Sequence, residues 1–524
     1  MHISLEHSTS SPLPMRLACC ALFALLARCT AFAQNDGTLD PSFGIGGIVT
    51  TNMGSLDDFG FGIALQSDGR LLIAGVVGTG ATTNDFGIAR YTTSGLLDLS
   101  FGGTGKVVTP IGALDDQARS IAIQPNGRIL VAGHAFLSSI NSGTDFAIVR
   151  YMQDGSLDNS FGTGGKVTVN IALNNDAAYA IGLQDDGKIV VAGTAYLNSI
   201  YQVAVVRCLE NGLLDGSFGV GGKVTFNFGS NTSLATSVSI QDGQILLGGY
   251  VYEGSDLQFA LARLSENGSL DPSFGSGGKV VTSLGPGGDL SHGMVVQGDG
   301  RILLCGQTAI GGDTAIAIVR YNSTGILDSS FGNNGVVVWN VSNVSDEAWS
   351  IKTQDDGKIL VAGSSGFDIA MIRLFPDGVL DNSFGTAGVV LTSYGQGSSR
   401  ANAMAIQDDG QIVLCGGSQV GSGADFIVTR YKSNLASSST HGFEIQKPLV
   451  QVFPNPNNGR FTIVLDGSAQ VNTLRLFDSS GREMRVEKVM GSISTEICYE
   501  LRAGHYLLEV ISNHAREVHQ LVVH

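Results

Sequence analysis

The sequence predicts an all-β protein: a seven-bladed β-propeller of four-stranded blades, completed by an N-terminal strand that closes the last blade, and followed by a small C-terminal β-sandwich. Two observations predict this class. One unit recurs seven times at spacings of 53 to 60 residues, close to the length of a propeller blade. Glycine contributes 72 of 524 residues and charged residues only 15%, a composition typical of short strands joined by tight turns.

The unit is marked by residues that keep their order from copy to copy. In six copies an Arg precedes an Asp by eight residues, and three residues after the Asp comes the Phe of a Ser-Phe-Gly triplet. A Gln stands before a tight turn in each copy. The Phe of the triplet stands at Phe43, Phe101, Phe161, Phe218, Phe274, Phe331 and Phe384.

Each unit is predicted to hold four strands. In the second unit, "SIAIQ" (Ser120 to Gln124) and "RILVAG" (Arg128 to Gly133) flank a "PNG" turn and form a hairpin. "FAIVRY" (Phe146 to Tyr151) is the third strand, and "GKVTVN" after the Ser-Phe-Gly segment is the fourth. Four strands in each unit indicate blades rather than stacked helical repeats.

The ends of the repeat region predict a closed ring. A fourth-strand segment, Gly46 to Thr51, precedes any first strand, and the seventh unit stops after a third strand, Phe426 to Tyr431. If the N-terminal strand completes the last blade, all seven blades have four strands and no sheet edge is left open. The propeller is therefore assigned to residues 34–431.

The Gly-rich Ser-Phe-Gly segment allows two interpretations, a phosphate-binding loop or a structural connection. A ligand site is needed once, whereas this segment occurs seven times between third and fourth strands. Its glycines suit a crossover with positive φ, its Phe can fill the space between blades, and its Asp can pair with the Arg or bind nearby backbone. The structural interpretation is favoured.

Residues 1–33 are predicted to be a signal peptide, with an apolar run ending in Ala31-Phe32-Ala33. No later run is long enough to span a bilayer. Four widely spaced cysteines remain after its removal, without metal-ligand spacing or a disulfide framework. The net charge of −16 argues against a nucleic-acid partner.

After Tyr431 the repeat stops. Residues 432–449 form a Ser-rich linker, and residues 450–524 alternate in short strands separated by turn residues. This pattern predicts a small β-sandwich.

Two segments resemble known families. The motifs "GxLDxSFGxxGKV" and "QxDGRILVAG" are similar to the delta-60 repeats of bacterial surface and secreted proteins, a resemblance that implies a propeller and brings no catalytic assignment. The C-terminal segment resembles the type A sorting domain of the type IX secretion system. Its motif residues are Pro454, Asn455, Pro456, Gly459, Phe461, Gly504 and Tyr506.

The second resemblance implies a route of export and a final location for the protein. A type A sorting domain implies recognition by the type IX secretion machinery of a member of the Bacteroidetes, passage across the outer membrane and removal of the tail. The protein would then be secreted or attached to the outer-membrane surface.

A ring of acidic residues is the first candidate site. The residue eight positions before the repeated Gln is Asp in five units and Ser in the others, Ser233 and Ser399. These acids are predicted near the start of each innermost strand, at the mouth of the channel. Carboxylates there would suit bound calcium, or each would cap its own turn. The five acids are Asp58, Asp116, Asp176, Asp289 and Asp346.

Aromatic residues on the variable loops are the second candidate site. Loops joining strands two to three and four to one share one face of a propeller, and binding residues concentrate on variable loops held by a rigid scaffold. Aromatic rings there suit carbohydrate or protein ligands, or pack between blades. The candidates are Phe136, Tyr179, Tyr196, Tyr201, Tyr250, Tyr252, Trp339 and Trp349.

No catalytic motif accompanies these candidates. Before the linker the exported chain has two histidines, His134 and His292, in different units and without an evident nucleophile. The sequence therefore predicts a binding or adhesion module for carbohydrate or protein, not an enzyme, with no required cofactor. Two alternatives stay open: a surface hydrolase or lyase using carboxylates at the channel mouth, and a structural surface protein.

Overall fold

A computed structural model describes two compact units, Met1–Leu435 and Ala436–His524. The first is described over residues 36–433, without 55, 81–82, 138–142, 173, 255, 396 and 421–422. The second is described over residues 450–453, 460–465, 471–478, 482–487, 494–498, 501–502, 504–512 and 516–523. The predicted signal peptide lies outside these ranges. Within them, no helix is long and apolar enough to cross a membrane.

Seven antiparallel four-stranded sheets form the blades of the first unit. Blade 1 contains β2 (Asp58–Leu65), β3 (Leu71–Gly80), β4 (Thr83–Tyr91) and β5 (Lys106–Thr109). Blade 2 contains β6 (Asp116–Ile123), β7 (Ile129–Ala135), β8 (Asp145–Tyr151) and β9 (Lys166–Val169). Blade 3 contains β10 (Asp176–Leu183), β11 (Ile189–Leu197), β12 (Ile200–Cys208) and β13 (Lys223–Phe226). Blade 4 contains β14 (Ser233–Gln241), β15 (Gln244–Glu253), β16 (Asp256–Leu264) and β17 (Lys279–Thr282). Blade 5 contains β18 (Leu290–Val296), β19 (Ile302–Ile310), β20 (Asp313–Tyr321) and β21 (Val336–Trp339). Blade 6 contains β22 (Asp346–Thr353), β23 (Ile359–Ser365), β24 (Asp368–Leu374) and β25 (Val389–Thr392). Blade 7 contains β26 (Ser399–Ile406), β27 (Ile412–Val420), β28 (Gly423–Tyr431) and the N-terminal strand β1 (Ile48–Thr51).

The ring closes through the N-terminal strand, as the sequence predicts. Strand β1 pairs antiparallel with β28, with Ile48 opposite Thr429, and Leu39 forms a bridge to Tyr431. The first strands of neighbouring blades pack against one another around the ring, including β26 against β2. The first strands therefore surround a central channel, and all seven blades have four strands.

Neighbouring blades are joined by a repeated group of side chains, here called the blade junction: the Arg of the third strand with the Asp, Ser and Phe of the Ser-Phe-Gly segment. Each Arg lies 2.7–2.9 Å from its Asp. Its guanidinium carbon lies 4.4–4.7 Å from the centroid of the Phe ring. The seven Phe rings are fully buried. The Arg–Asp pairs are Arg90–Asp98, Arg150–Asp158, Arg207–Asp215, Arg263–Asp271, Arg320–Asp328, Arg373–Asp381 and Arg430–Asp40.

Backbone contacts extend each junction to the next blade. Arg150 donates to the carbonyl of Glu210 in blade 3, and Arg263 donates to that of Ser323 in blade 5 at 2.7 Å. The Gly of every Ser-Phe-Gly segment donates its N–H to a turn carbonyl of the following blade, at 2.8–3.0 Å. These contacts confirm the structural interpretation of the segment.

A second contact between blades uses the last residue of the third strand and the last residue of the preceding fourth strand. In four blades the pair is Tyr with Thr, and the two hydroxyls lie 2.7–2.8 Å apart. In the other three blades the positions hold apolar residues, including Leu374 with Trp339, which pack in one hydrophobic cluster. Trp339 therefore occupies a position that fills the space between blades.

The C-terminal unit contains two antiparallel sheets. They are β29 (Val450–Phe453), β30 (Arg460–Leu465) and β33 (Ser494–Cys498), and β31 (Val471–Phe477), β32 (Glu483–Glu487), β34 (Gly504–Ser512) and β35 (Arg516–Val523). Two sheets are what the sandwich prediction requires. How they pack stays a prediction.

Part of the predicted sorting motif can be placed in this unit. Phe461 lies in β30 and Gly504 begins β34. The largely buried Tyr506 donates its hydroxyl to the carbonyl of Arg502 at 2.8 Å. The motif residues Pro454, Asn455, Pro456 and Gly459 lie outside the described residues.

Replacing Arg150 by Met tests the blade junction. The change leaves the Asp158 carboxylate buried without its closest cation, so we expect the free energy of unfolding to fall by about 3–5 kcal/mol. Arg128→Gln is the matched control, because Arg128 lies 3.1 Å from the same carboxylate but its side chain is 32% exposed. We expect that control to cost about 1 kcal/mol or less. Equal losses in urea unfolding would contradict the assignment.

Candidate binding site in the central channel

The first strand of every blade carries a β-bulge at the same place. Its register against the second strand skips one residue, three positions after the Asp or Ser of the predicted acidic ring. A bulge leaves the extra residue outside the ladder and redirects its side chain. The skipped residues are Phe61, Arg119, Tyr179, Thr236, His292, Trp349 and Asn402.

The seven skipped residues line one cavity of about 420 Å³, to which every blade contributes. This volume lies within the range of small-molecule sites, about 300–1,000 Å³. The remaining lining residues are Ser120, Ala180, Ile181, Leu234, Ser237, Val238, Tyr250, Gly293, Met294, Ser350, Ile351 and Lys352. Lys352 also lines a second cavity of about 410 Å³ with Gln354 and Gln407, so its side chain lies between the two.

The residue type at the skipped position changes from blade to blade more than the residue types on either side of it. Its seven occupants are seven different residue types. The position before it always holds a small, buried residue, such as Gly60, Ala118 or Ser291. Because the blades fold with any of seven side chains at the bulge, the fold places little demand on that position.

A stack of rings and cations holds part of the cavity wall. His292 and Trp349 are stacked with ring centroids 4.0 Å apart. The guanidinium carbon of Arg400 lies 5.2 Å from the centroid of Trp349 and 5.9 Å from that of Phe61, whose ring Arg119 covers at 4.3 Å. These contacts link blades 5, 6, 7, 1 and 2 in order and fix the side chains before any ligand binds.

Three cationic side chains belong to this region. Arg119 and Lys352 line the cavity, and Arg400 joins the stack beside it. Among the described residues none of the three lies within 4.0 Å of a carboxylate oxygen, although Glu347 exerts an attractive charge on Arg400 and Asp115 does so on Arg119. Burial lowers the pKa of all three groups, because it removes water from the charged form. Lys352 keeps contact with solvent inside the channel.

His292 is neutral at physiological pH. Burial lowers the pKa of its imidazole to about 4; the charge of Arg400 acts in the same direction, and a hydrogen bond with Gln307 opposes both. A neutral imidazole offers one donor and one acceptor. His292 is therefore suited to hydrogen bonding with a ligand without repelling the nearby cations.

The structure brings Tyr179, Tyr250 and Trp349 of the predicted aromatic set to this cavity. Burial raises the pKa of Tyr250 to about 12, so its hydroxyl stays protonated. Sequence reasoning missed Phe61 and Arg119 as site residues. The available signal was the position three residues after the acidic ring, where the repeat changes residue type from copy to copy.

The other predicted aromatics lie away from the cavity. Tyr196 and Tyr201 form an edge-to-face pair at the end of the β11–β12 hairpin, with centroids 5.0 Å apart. Tyr252 is 39% exposed on β15, and Phe136 follows β7 on the variable-loop face. Trp339 packs between blades, as described above.

The five acidic residues bind the backbone of their own loops. All five are fully buried. Asp58, for example, accepts the N–H of Met53 at 2.7 Å and of Gly54 at 3.0 Å. In blade 4 the hydroxyl of Ser233 accepts the N–H of Phe228 at 3.1 Å. The geometry favours the capping interpretation for Asp58, Asp116, Asp176, Asp289 and Asp346. Among the described residues, no three His, Cys, Asp or Glu side chains are grouped to hold calcium or another metal ion.

Comparison with known proteins identifies both units. A family model described as "Domain of unknown function (DUF5122) beta-propeller" matches residues 66–101, 124–161, 184–218, 240–274, 297–331 and 354–384. A model described as "Secretion system C-terminal sorting domain" matches residues 451–524. No curated protein matches the sequence significantly.

Several solved structures are similar to the chain. A streptogramin B lyase is 12% identical, covering 73% of this chain and 97% of that chain, with a TM-score of 0.43. The polysaccharide lyase Uly1 is 11% identical, covering 72% and 90%, with a TM-score of 0.43. Drosophila Semaphorin 2a is 8% identical, covering 94% and 99%, with a TM-score of 0.44. These values bear on neither activity nor ligand.

The fold is a closed seven-bladed β-propeller. The C-terminal sorting domain indicates that the protein is exported by the type IX system, either to the cell surface or into the medium. Its blades are DUF5122 propeller repeats, and its second unit is a secretion-system C-terminal sorting domain. The family model matches six repeats where the structure has seven blades. Each match runs from near the repeated Gln to the Ser-Phe-Gly triplet, and in blade 7 ring closure divides this stretch between the two ends of the repeat region.

Replacing Asp176 by Asn tests the buried acidic ring. Burial raises the pKa of Asp176 to about 6, above its ordinary value of 3.8. A raised folded-state pKa gives a stabilising contribution that is complete below about pH 4 and is lost as the pH rises through 6. We therefore expect a smaller fall in unfolding temperature between pH 5 and pH 7.5 in the variant than in the parent protein.

Asp154→Asn is the control for this pH dependence. Hydrogen bonds from Ser156 lower the pKa of this exposed carboxyl, so it titrates below the tested range. The control should match the parent at both pH values. A variant at Asp176 that keeps the full pH dependence would contradict the proton binding inferred for the folded state.

Proposed function

We propose that this exported propeller is a non-catalytic binding module that holds a carbohydrate or protein ligand at the channel cavity, with the variable loops around it. The observation that carries the proposal is the convergence of seven unlike side chains, one from the same bulge of each blade, on one cavity. A repeating scaffold has no folding reason to place seven unlike side chains at that position. Binding residues on a rigid scaffold are the pattern expected of a recognition site.

The lining supports a carbohydrate more than a protein ligand. Hydroxyls of Tyr179 and Tyr250 offer donors and acceptors, and those of Thr236 and Ser237, which donate to backbone carbonyls, offer acceptors. A sugar presents the same combination of hydroxyls and apolar ring faces. A cavity enclosed by seven blades also suits a small ligand or a chain end better than a broad protein surface.

Two alternatives from the sequence receive less support. A hydrolase or lyase with carboxylates at the channel mouth would need acids free to act, yet the acidic ring is engaged with its own loops. No carboxylate lines the cavity in the described part of the chain. A purely structural surface protein gives no reason for unlike side chains at the bulges.

A glycan and polymer binding array with the full exported chain tests the proposal. We expect Trp349→Ala to weaken binding at least about tenfold, because this ring forms part of the cavity wall. Trp339→Phe is the matched control: it changes the only other tryptophan, and the equivalent position of blade 3 already holds Phe226. The control should bind like the parent.

Two results would contradict the proposal. Equal losses in both variants would place the effect in blade stability rather than in the channel. Release of new reducing ends from a bound polymer would show an enzyme, and it is measured in the same samples.

A further inference from the structure

The charges around the channel cavity point to one ligand class. Arg119 and Lys352 line it, Arg400 flanks it, and no carboxylate lies within ion-pair distance of these groups in the described chain. In the blade junctions, by contrast, every repeated Arg pairs with an Asp at 2.7–2.9 Å. The protein neutralises its other enclosed arginines and leaves these cations open.

This arrangement is unusual in a protein whose net charge is −16. A cation that is partly removed from water without a partner destabilises the fold, so it is kept where a partner arrives later. Arg119 lacks part of its hydrogen-bond partners within the fold. Its side chain donates to Gln117, whereas its Nε atom is buried without an acceptor. An anionic ligand would supply the missing acceptor and charge.

The equivalent residues of other blades show that the fold does not require these cations. The position of Arg119 holds Thr236 in blade 4. The position of Lys352 holds alanine in three blades, including Ala64 and Ala405. Structural need therefore does not explain either cation.

We propose that the cavity binds an acidic saccharide, a sugar ring that carries a carboxylate or sulfate group. Arg119 and Lys352 bind the anionic group, while the hydroxyls of Thr236 and Tyr179 and the neutral imidazole of His292 bind the sugar hydroxyls. This assignment rests on the proposed binding function and adds the charge of the ligand to it.

The two tryptophans of the chain allow a direct measurement. In the Trp339→Phe protein, Trp349 is the sole tryptophan, and its ring stands in the cavity wall. Its fluorescence is followed during titration of the full exported chain. The probes are a galacturonate trisaccharide, a sulfated galactose trisaccharide without uronic acid, a neutral galactose trisaccharide and an acidic peptide of three aspartates.

We expect one of the two acidic sugars to bind at least about tenfold more tightly than the neutral trisaccharide. Whichever acidic sugar binds assigns the anionic group as carboxylate or sulfate. Its affinity should weaken as the salt concentration rises.

Charge variants in the same single-tryptophan background locate the interaction. Arg119→Thr and Lys352→Ala should each reduce acidic-sugar affinity about tenfold or more, and should reduce neutral-sugar affinity by a clearly smaller factor. Arg119→Lys keeps the charge and should retain the acidic preference. Arg70→Gln is the control: it removes an exposed cation from a hairpin turn, and blade 7 already holds Gln411 there.

The outcomes separate this inference from the proposed function. Equal affinity for neutral and acidic sugars would overturn the charge assignment and leave the binding module intact. Tighter binding of the peptide would overturn the saccharide. A channel that responds to no probe, while a binding array finds a ligand elsewhere on the protein, would overturn the site itself.

Discussion

The arginine near the end of each third strand is the interaction on which the propeller depends. A four-stranded blade buries little surface by itself, so its stability comes from the neighbouring blade. The guanidinium of Arg150 binds Asp158 within its own blade, covers the Phe161 ring and donates to a carbonyl of the following blade. The same group closes the ring, where Arg430 of the last third strand pairs with Asp40 from the N-terminal segment and donates to the carbonyl of Thr93 at 2.6 Å. Burial alone would raise the pKa of Asp158, but hydrogen bonds from Ser160 and the charge of Arg150 outweigh it and lower the pKa, so the pair stays charged.

The residues that stabilise the blades lie in the blade junctions, and the candidate binding residues lie at the bulges of the first strands. The two sets therefore occupy different parts of each blade. The junction residues recur because each blade needs the same contacts. The bulge residues face the channel outside the strand ladder, where each can make its own contact with the neighbouring blade, as Asn402 does with the Gly60 carbonyl. One chain can therefore hold His292, Trp349 and Arg119 at equivalent positions without changing how a blade folds. A propeller with seven such positions can build an asymmetric cavity from a symmetric scaffold.

The sequence predicted the blades from their repetition and the closing strand from the two ends of the repeat region, and it offered the Arg–Asp pair as one of two roles for the repeated Asp. It did not identify the cavity. A bulge changes which face of the strand a side chain occupies, and the hydrophobic alternation of one strand does not reveal it. For this reason, reasoning from aromatic loops placed Trp349, a bulge residue, in the same candidate set as Trp339. The position of Trp339 was nevertheless readable, because other units hold Thr109 and Thr282 there, opposite a tyrosine that is absent where the tryptophan stands. Its packing role follows from that exchange.

The acidic ring and the channel cations show why residue type alone is a weak guide to function. Five aspartates at one position suggest a metal site, yet each carboxylate is closed to solvent and accepts a backbone N–H of its own loop. Arg119 and Lys352 attract no notice as isolated residues, yet they lie at a solvent-accessible cavity without a carboxylate partner in the described structure. The distinction is whether a charged group is satisfied within the fold. Groups that are satisfied hold the blades, and groups that are not are the ones left to bind a ligand.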